Sequence, residues 1–327
     1  MAMDMPPPAM YEVYEIELNS EVEYVNPLWD VALVAHLVAP SGRELQVDGF
    51  WDGGRRWLVC VAPDETGSWC WRTECSDETN AGLHERSGEF ECRASDAHGP
   101  LRIAADQTHL EHADGTPFFW LGDTAWNGVL RATDDDWEEY LSLRAEQGFT
   151  AVQFVCTQWR GWPDGEVFID GERIRPNVEA YQAMDRRVAA IARHGMVPVP
   201  VLLWALQPTD PGEALSEENA VRLARYMVAR WGAQPVVFLL GGDGRYPDPG
   251  ALAAHRAGGL PRTARPPGQH APVRQQVGQR RVRRRALVRL HRLPERAWPS
   301  DQDLSVDHRW PARAALGRRP AHACAQH

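Results

Sequence analysis

Four short, nearly continuous apolar runs constrain this chain more than any other feature of its sequence. FFWLGD, TAVQFVCT, MVPVPVLLW and PVVFLLGGD follow one another from residue 118 to residue 243. A strand with no polar side to offer must be buried on both faces, and parallel strands joined by helical crossovers are buried in that way. The segments between the runs supply the crossovers. Helical spacing predicts helices over 134–147, 178–194 and 217–231, and Thr133 is suited to cap the first of them. Four βα units with polar residues gathered at strand C-terminal ends point to a (β/α)8 TIM-type barrel. A doubly wound dinucleotide-binding sheet would need a Gly-rich turn after its first strand, and LGDTAW has none.

Ahead of these runs the period changes from helical to two. YEVYEIEL, VALVAHLVA, LQVDGFWD, RWLVCVA, SWCWRTEC and GEFECRA alternate or run apolar, with turn residues at Pro40-Ser41-Gly42, Asp52-Gly53-Gly54 and Pro63 to Gly67. Six such strands predict an antiparallel β-sandwich. The expected class is therefore α/β: a disordered N-terminus over 1–9, an N-terminal antiparallel β-sandwich over 10–96, and a truncated (β/α)8 barrel, its first half, over 97–255. An irregular tail over 256–327 completes the chain.

That tail sets itself apart by charge. The chain has no lysine; residues 1–250 carry 19 Arg against 41 acidic residues, whereas residues 251–327 carry 16 Arg against 4. The periodicity also stops near Arg256. By composition the segment reads as disordered. An Arg-rich tail is a familiar nucleic-acid binder, but aromatic interleaving and a recognisable module are both missing here. A different origin fits better. Codons exist that encode this tail and also, one nucleotide downstream, a peptide of globular composition. Gln269 to Arg274 written CAA CAT GCA CCC GTG CGG, followed by C, reads NMHPCG in that frame. Continued to His327, the shadow frame permits FDFIGYQSGHG and PTPVLNT. The expectation is a one-nucleotide slip between the codons for Gly250 and Pro267.

Other classes are set aside on the sequence. No run of eighteen apolar residues suggests a membrane span, and MAMDMPPPAM has neither the basic stretch nor the apolar core of a leader, so a cytoplasmic location is expected. Six cysteines, four of them between Cys60 and Cys92, lack CxxC spacing and accompanying histidines, so reduced thiols are expected rather than a zinc site. No metal, nucleotide or other cofactor is called for, and neither nucleic acid nor membrane is expected as a partner.

WLGDTAW, FTAVQFVCTQWRGW, VPVLLW and VVFLLGGDG, in this order and spacing, resemble the apiosidase-like glycoside hydrolases, and PDETGSWCWRT resembles the β-sandwich that often precedes their barrel. The resemblance covers roughly residues 10–250, and the shadow-frame motifs extend it. It implies a retaining glycoside hydrolase acting on a carbohydrate, a plant-type glycan or small glycoside. Such chemistry needs two carboxyl groups flanking the scissile bond. Asp243, closing the fourth run in LGGDG, is the implied general acid/base, with glycine neighbours that let a substrate approach the backbone. Its plainer role is a turn aspartate. The implied nucleophile, a glutamate in an Asn-x-Glu context, falls in the shadow frame at the stop codon, so the chain as written is expected to be inactive. Asp123 either binds sugar hydroxyls or caps the next helix. Trp126, Trp159, Trp162 and Trp204, at or just after strand ends, suit stacking on sugar faces, and Gln158 is a hydroxyl partner. His194, at the opposite end of the strands, is expected to be structural. A non-catalytic carbohydrate-binding or structural sandwich protein is the alternative.

Overall fold

The computed structural model describes residues 6–157, 166–169 and 171–244; the expectations for the tail, and those placed on Gln158, Trp159 and Trp162, lie outside these residues. In the first hundred residues the strands are β1 (Tyr14–Asn19), β2 (Leu33–Val38), β3 (Glu44–Asp48), β4 (Phe50–Trp51), β5 (Arg56–Val61), β6 (Gly67–Cys75) and β7 (Ser87–Cys92), with a short helix α1 (Pro27–Asp30). They form two antiparallel sheets, ordered β1-β5-β4 and β3-β2-β6-β7. Ile16, Leu37, Val59, Trp69 and Phe90, drawn from both sheets, share one buried core. The alternation in β2, with Leu33, Ala35 and Leu37 inward, is the period-2 pattern a one-sided strand demands.

Two features of this region differ from the sequence reading. LQVDGFWD is not one strand but two, β3 and β4, in different sheets. Gly49 sits at the change of sheet, and a Cβ there would lie 2.6 Å from Cδ2 of Leu33, so only glycine lets the chain pass so close to β2. The N-terminus also departs from the disorder expected over 1–9. Residues 7–9 run alongside the end of β7: Ala9 bridges Arg93, the Arg93 amide donates to the Pro8 carbonyl at 2.9 Å, and the Arg93 side chain donates to the Pro7 carbonyl. Two prolines fix φ and remove donors, leaving carbonyls that a neighbouring arginine can satisfy.

The β1-β5-β4 sheet is covered on its other face as well. Phe50, Leu58 and Cys60 join a second core with Tyr181, Met184, Val188, Leu223, Tyr226 and Met227. β5 is therefore buried on both sides, which is why RWLVCV is almost wholly apolar instead of alternating.

Three short strands, β8 (Leu101–Ile103), β9 (Leu110–His112) and β10 (Pro117–Phe118), form a small antiparallel sheet. Then follow β11 (Gly122–Trp126), α2 (Gly128–Arg131), α3 (Asp134–Glu146), β12 (Ala151–Val155), the paired β13 (Phe168–Ile169) and β14 (Arg175–Pro176), and α4 (Val178–Arg193). β15 (Val197–Ala205), α5 (Pro211–Ala214), α6 (Glu217–Trp231) and β16 (Leu239–Gly244) complete the described chain. The three long helices start where capping chemistry puts them: Thr133, Asn177 and Ser216 each accept from a backbone N–H in the first turn. Asp134, Asp135 and Asp136 then place negative charge at the positive end of α3.

β11, β12, β15 and β16 form one parallel sheet in chain order. A doubly wound sheet reverses its order at a switch point; among the described strands there is no reversal. Nor is there a closed barrel: the described sheet is open, with β11 and β16 as its outer strands. The first apolar run enters this sheet only at its polar end. Phe118 and Trp120 instead pack beneath Ala151, Val197, Val199 and Val237, while GDTAW makes the strand.

Candidate functional site

Trp126, Trp204 and Asp243 lie toward the C-terminal ends of the parallel strands, where both outer strands are irregular, whereas Asp123 is the second residue of β11, at its N-terminal end. Along β11, Thr124 faces Gln153 but Trp126 already faces Phe154, so β11 carries one extra residue. Along β16, Leu203 faces Gly241 and Ala205 faces Gly244, so Gly242 and Asp243 together oppose the single residue Trp204. Such bulges bend a strand and re-aim its side chains, and they collect near active sites.

Trp204 is 2% exposed and Trp126 is 43% exposed. Their rings meet edge to face, centroids 5.6 Å apart and planes at 84°. Trp126 has φ +46, in the left-handed region that a bulky side chain seldom adopts, and the bulge in β11 accompanies it. Behind this pair lies Gly242, where a Cβ would fall 2.6 Å from Cε3 of Trp204 and closer still to Cζ3. The glycines beside Asp243 were expected to admit substrate. At Gly242 the space is filled by the Trp204 indole instead. The signal in the sequence is a Gly-Gly pair inside a strand, which marks close approach by a neighbour of some kind. Asp243 is in β16 at this bulge.

Asp123 is held by α3. Its Oδ2 accepts from the Tyr140 hydroxyl at 2.9 Å and from Arg144 Nε, and Oδ1 accepts from the Thr124 amide at 2.8 Å. Partial burial raises the Asp123 pKa, but the Arg144 and Tyr140 hydrogen bonds outweigh it and hold the carboxyl below the usual range. Tyr140 and Arg144 are one helical turn apart, so a single face of α3 grips the first strand. Because the folded-state pKa is depressed, the stabilisation is complete above the unfolded value and is lost as pH falls through the folded one. Asp123→Asn is expected to cost about 1 kcal/mol at neutral pH, after screening by solvent. The gap between the two proteins should close in denaturant titrations below about pH 4.

Thr157, just beyond β12, was not anticipated from sequence. Its hydroxyl is fully buried and has no hydrogen-bond partner among the described residues. Nothing in sequence patterning distinguishes an orphaned threonine from a satisfied one. His194 pairs through Nε2 with Glu138 Oε2 at 2.7 Å, joining the end of α4 to α3. The five described cysteines are free thiols, four of them buried. Among the described residues there is no group of three or more His, Cys, Asp or Glu side chains able to hold a metal. No helix among them is long and apolar enough to cross a membrane. A cavity of about 530 Å³ lies away from the strand ends, lined by Leu33, Asp48, Trp57, Arg222 and Arg225 among others. None of Asp123, Trp126 and Trp204 lines it.

No curated protein matches this chain. Among solved structures, a candidate glycoside hydrolase from Bacteroides vulgatus ATCC 8482 is 21% identical with a TM-score of 0.59, over 72% of this chain and 49% of that one. A family 5 glycoside hydrolase from the same organism is 23% identical, with a TM-score of 0.43, over 50% of this chain and 37% of that one. The likeness to the first of these is one of fold, and the chain spans about half of that structure's length. Residues 8–76 match a domain of unknown function, DUF5060. Residues 104–307 match the Apiosidase-like catalytic domain, a match that continues past residue 250 into the Arg-rich segment. Because that match spans more than half of the sequence, this chain is a member of the Apiosidase-like catalytic-domain family.

Proposed function

We propose that this chain carries the first half of a retaining glycoside-hydrolase (β/α)8 barrel behind a supporting β-sandwich, with Asp243 as its general acid/base. The observation that carries the reading is the place of Asp243: the C-terminal end of the fourth parallel strand, at a bulge, one residue from the Trp126–Trp204 pair's seat on Gly242. Barrel enzymes build their sites at that end of the strands. The half-exposed indole of Trp126 is a stacking surface for a sugar ring, backed by Trp204, with Gln158 and Trp159 following the second strand as further substrate contacts. Asp123, gripped by Arg144 and Tyr140 at the N-terminal end of β11, anchors the strand that carries that surface. The substrate class is a plant-type glycan or small glycoside.

Retention requires a second carboxylate about 5–5.5 Å from the acid. We assign it to the shadow frame that follows the slip between Gly250 and Pro267. The joint coding capacity of residues 267–327 supports this, whereas the family match over residues 251–307 weighs toward the frame as written. The nucleotide sequence decides between them. Codons that keep the shadow frame open through the codon for His327 are expected; early stops in that frame would end the idea. The functional test follows. The 327-residue chain should not hydrolyse aryl glycosides or pectic side chains, and the frame-restored, extended chain should. Turnover by the 327-residue chain would overturn the assignment of the second carboxylate.

A further inference from the structure

We propose that Trp204 is the positioning residue for Asp243, acting through Gly242 rather than by touching substrate; this rests on the reading of Asp243 as the acid. Three observations meet at this point. β16 spends two residues, Gly242 and Asp243, where β15 spends one, and that one is Trp204. The six-membered ring of Trp204 occupies the space a side chain at 242 would need, since Cε3 lies 2.6 Å from an ideal Cβ there. Trp204 is itself clamped: Val155, Val201 and Leu239 pack around it, and Trp126 meets it edge to face at 5.6 Å. An indole immobilised on three sides is a rigid backstop. Protein interiors are close-packed, so a large ring pressed against a glycine Cα leaves the bulge no alternative path. Asp243, the second residue of the bulge, lies within β16, so the same constraint fixes the backbone that carries it.

This divides the two tryptophans by exposure. Trp126, at 43% exposed, is available to a ligand, whereas Trp204, at 2%, is not. Trp204 links the first strand's stacking surface to the fourth strand's acid through one edge-to-face contact and one ring-to-backbone contact. A sugar ring stacked on Trp126 and a proton delivered by Asp243 are thereby held in one frame of reference, which is what efficient proton transfer to a leaving oxygen needs.

The test uses the 327-residue chain labelled with carboxyl-13C aspartate, with Asp243 identified by its loss in Asp243→Asn. Gly242→Ala forces Cβ into the Trp204 ring, and the Asp243 titration midpoint is expected to move by ~0.5 unit or more as the backbone carrying it shifts. The double variant Gly242→Ala/Trp204→Leu removes the clash together with the backstop, so its midpoint should match that of Trp204→Leu alone and differ from that of Gly242→Ala. A midpoint that stays put in a folded Gly242→Ala protein overturns the proposal. So does a double variant whose midpoint stays at that of Gly242→Ala. Should Gly242→Ala not fold, Trp204→Phe, which shortens the backstop without adding a clash, is expected to move the midpoint by itself, and constancy there is equally decisive. The acid assignment stands or falls separately, on the kinetics of Asp243→Asn in the frame-restored enzyme.

Discussion

Arg230→Met is expected to destabilise the protein by about 3–5 kcal/mol, the cost of breaking a buried ion pair from one side. Arg230, on α6, is 1% exposed at its side chain and lies 2.8 Å from Asp52 in the β4–β5 turn, itself 2% exposed. The guanidinium also pairs with Asp185 of α4 and donates to the Tyr226 hydroxyl, which donates onward to the Trp51 carbonyl at 3.1 Å. Gln182 donates to Asp52 Oδ2 and to its carbonyl oxygen, while Trp231 donates to Asp185 at 2.7 Å. Three aromatic rings, Phe50, Tyr181 and Tyr226, surround the cation, the nearest centroid being 4.6 Å away. Burial opposes the charge on Arg230, but Tyr226, Asp185 and Asp52 outweigh it and its pKa is raised. The group is therefore a cation at any working pH.

Methionine at 230 would fill most of the volume yet leave Asp52 with Arg56 and Gln182 as its remaining partners. The midpoint of thermal unfolding should fall by roughly 10 °C. Because the network joins an antiparallel-sheet turn to two helices of the parallel-sheet region, the loss should appear in one cooperative transition shared by both. Two separate transitions, with only one displaced, would show that the latch does not couple them. A double-mutant cycle with Asp52→Ala should give a coupling of about 1–3 kcal/mol, since the two side chains share partners.

Asp243→Asn, in the frame-restored chain, should lower turnover of glycosides with poor leaving groups by about 10²–10⁴-fold, the usual worth of general acid catalysis. Activated aryl glycosides should be spared at their glycosylation step, because a leaving group that departs as a stable anion needs less protonation. Asparagine keeps the size of the side chain and its hydrogen-bonding reach while removing the proton. An unchanged rate on unactivated substrates would remove Asp243 from the role of acid. A uniform loss on both substrate classes, with the fold intact, would point to binding instead.

What the sequence determined by itself was local. The three long helices could be placed by helical spacing, and the first of them by its cap Thr133, because a cap and a helical stripe are properties of a few neighbouring residues. The order of the parallel strands followed from four apolar runs with crossovers between them, and the family motifs lie on those runs. Tertiary structure decided whatever depends on residues far apart in the chain. RWLVCV reads as one more strand, and only the packing of α4 and α6 against its outer face explains why it does not alternate. Asp52 is an ordinary turn aspartate until Arg230, 178 residues later, is buried against it. Asp123 offered sugar binding or helix capping with equal force, and α3 folding back with Tyr140 and Arg144 gave it a third occupation. Gly242 looked like room for a substrate and proved to be room for Trp204. In each case the residue type fixes what contact is permitted, and close packing between distant segments fixes which contact is made.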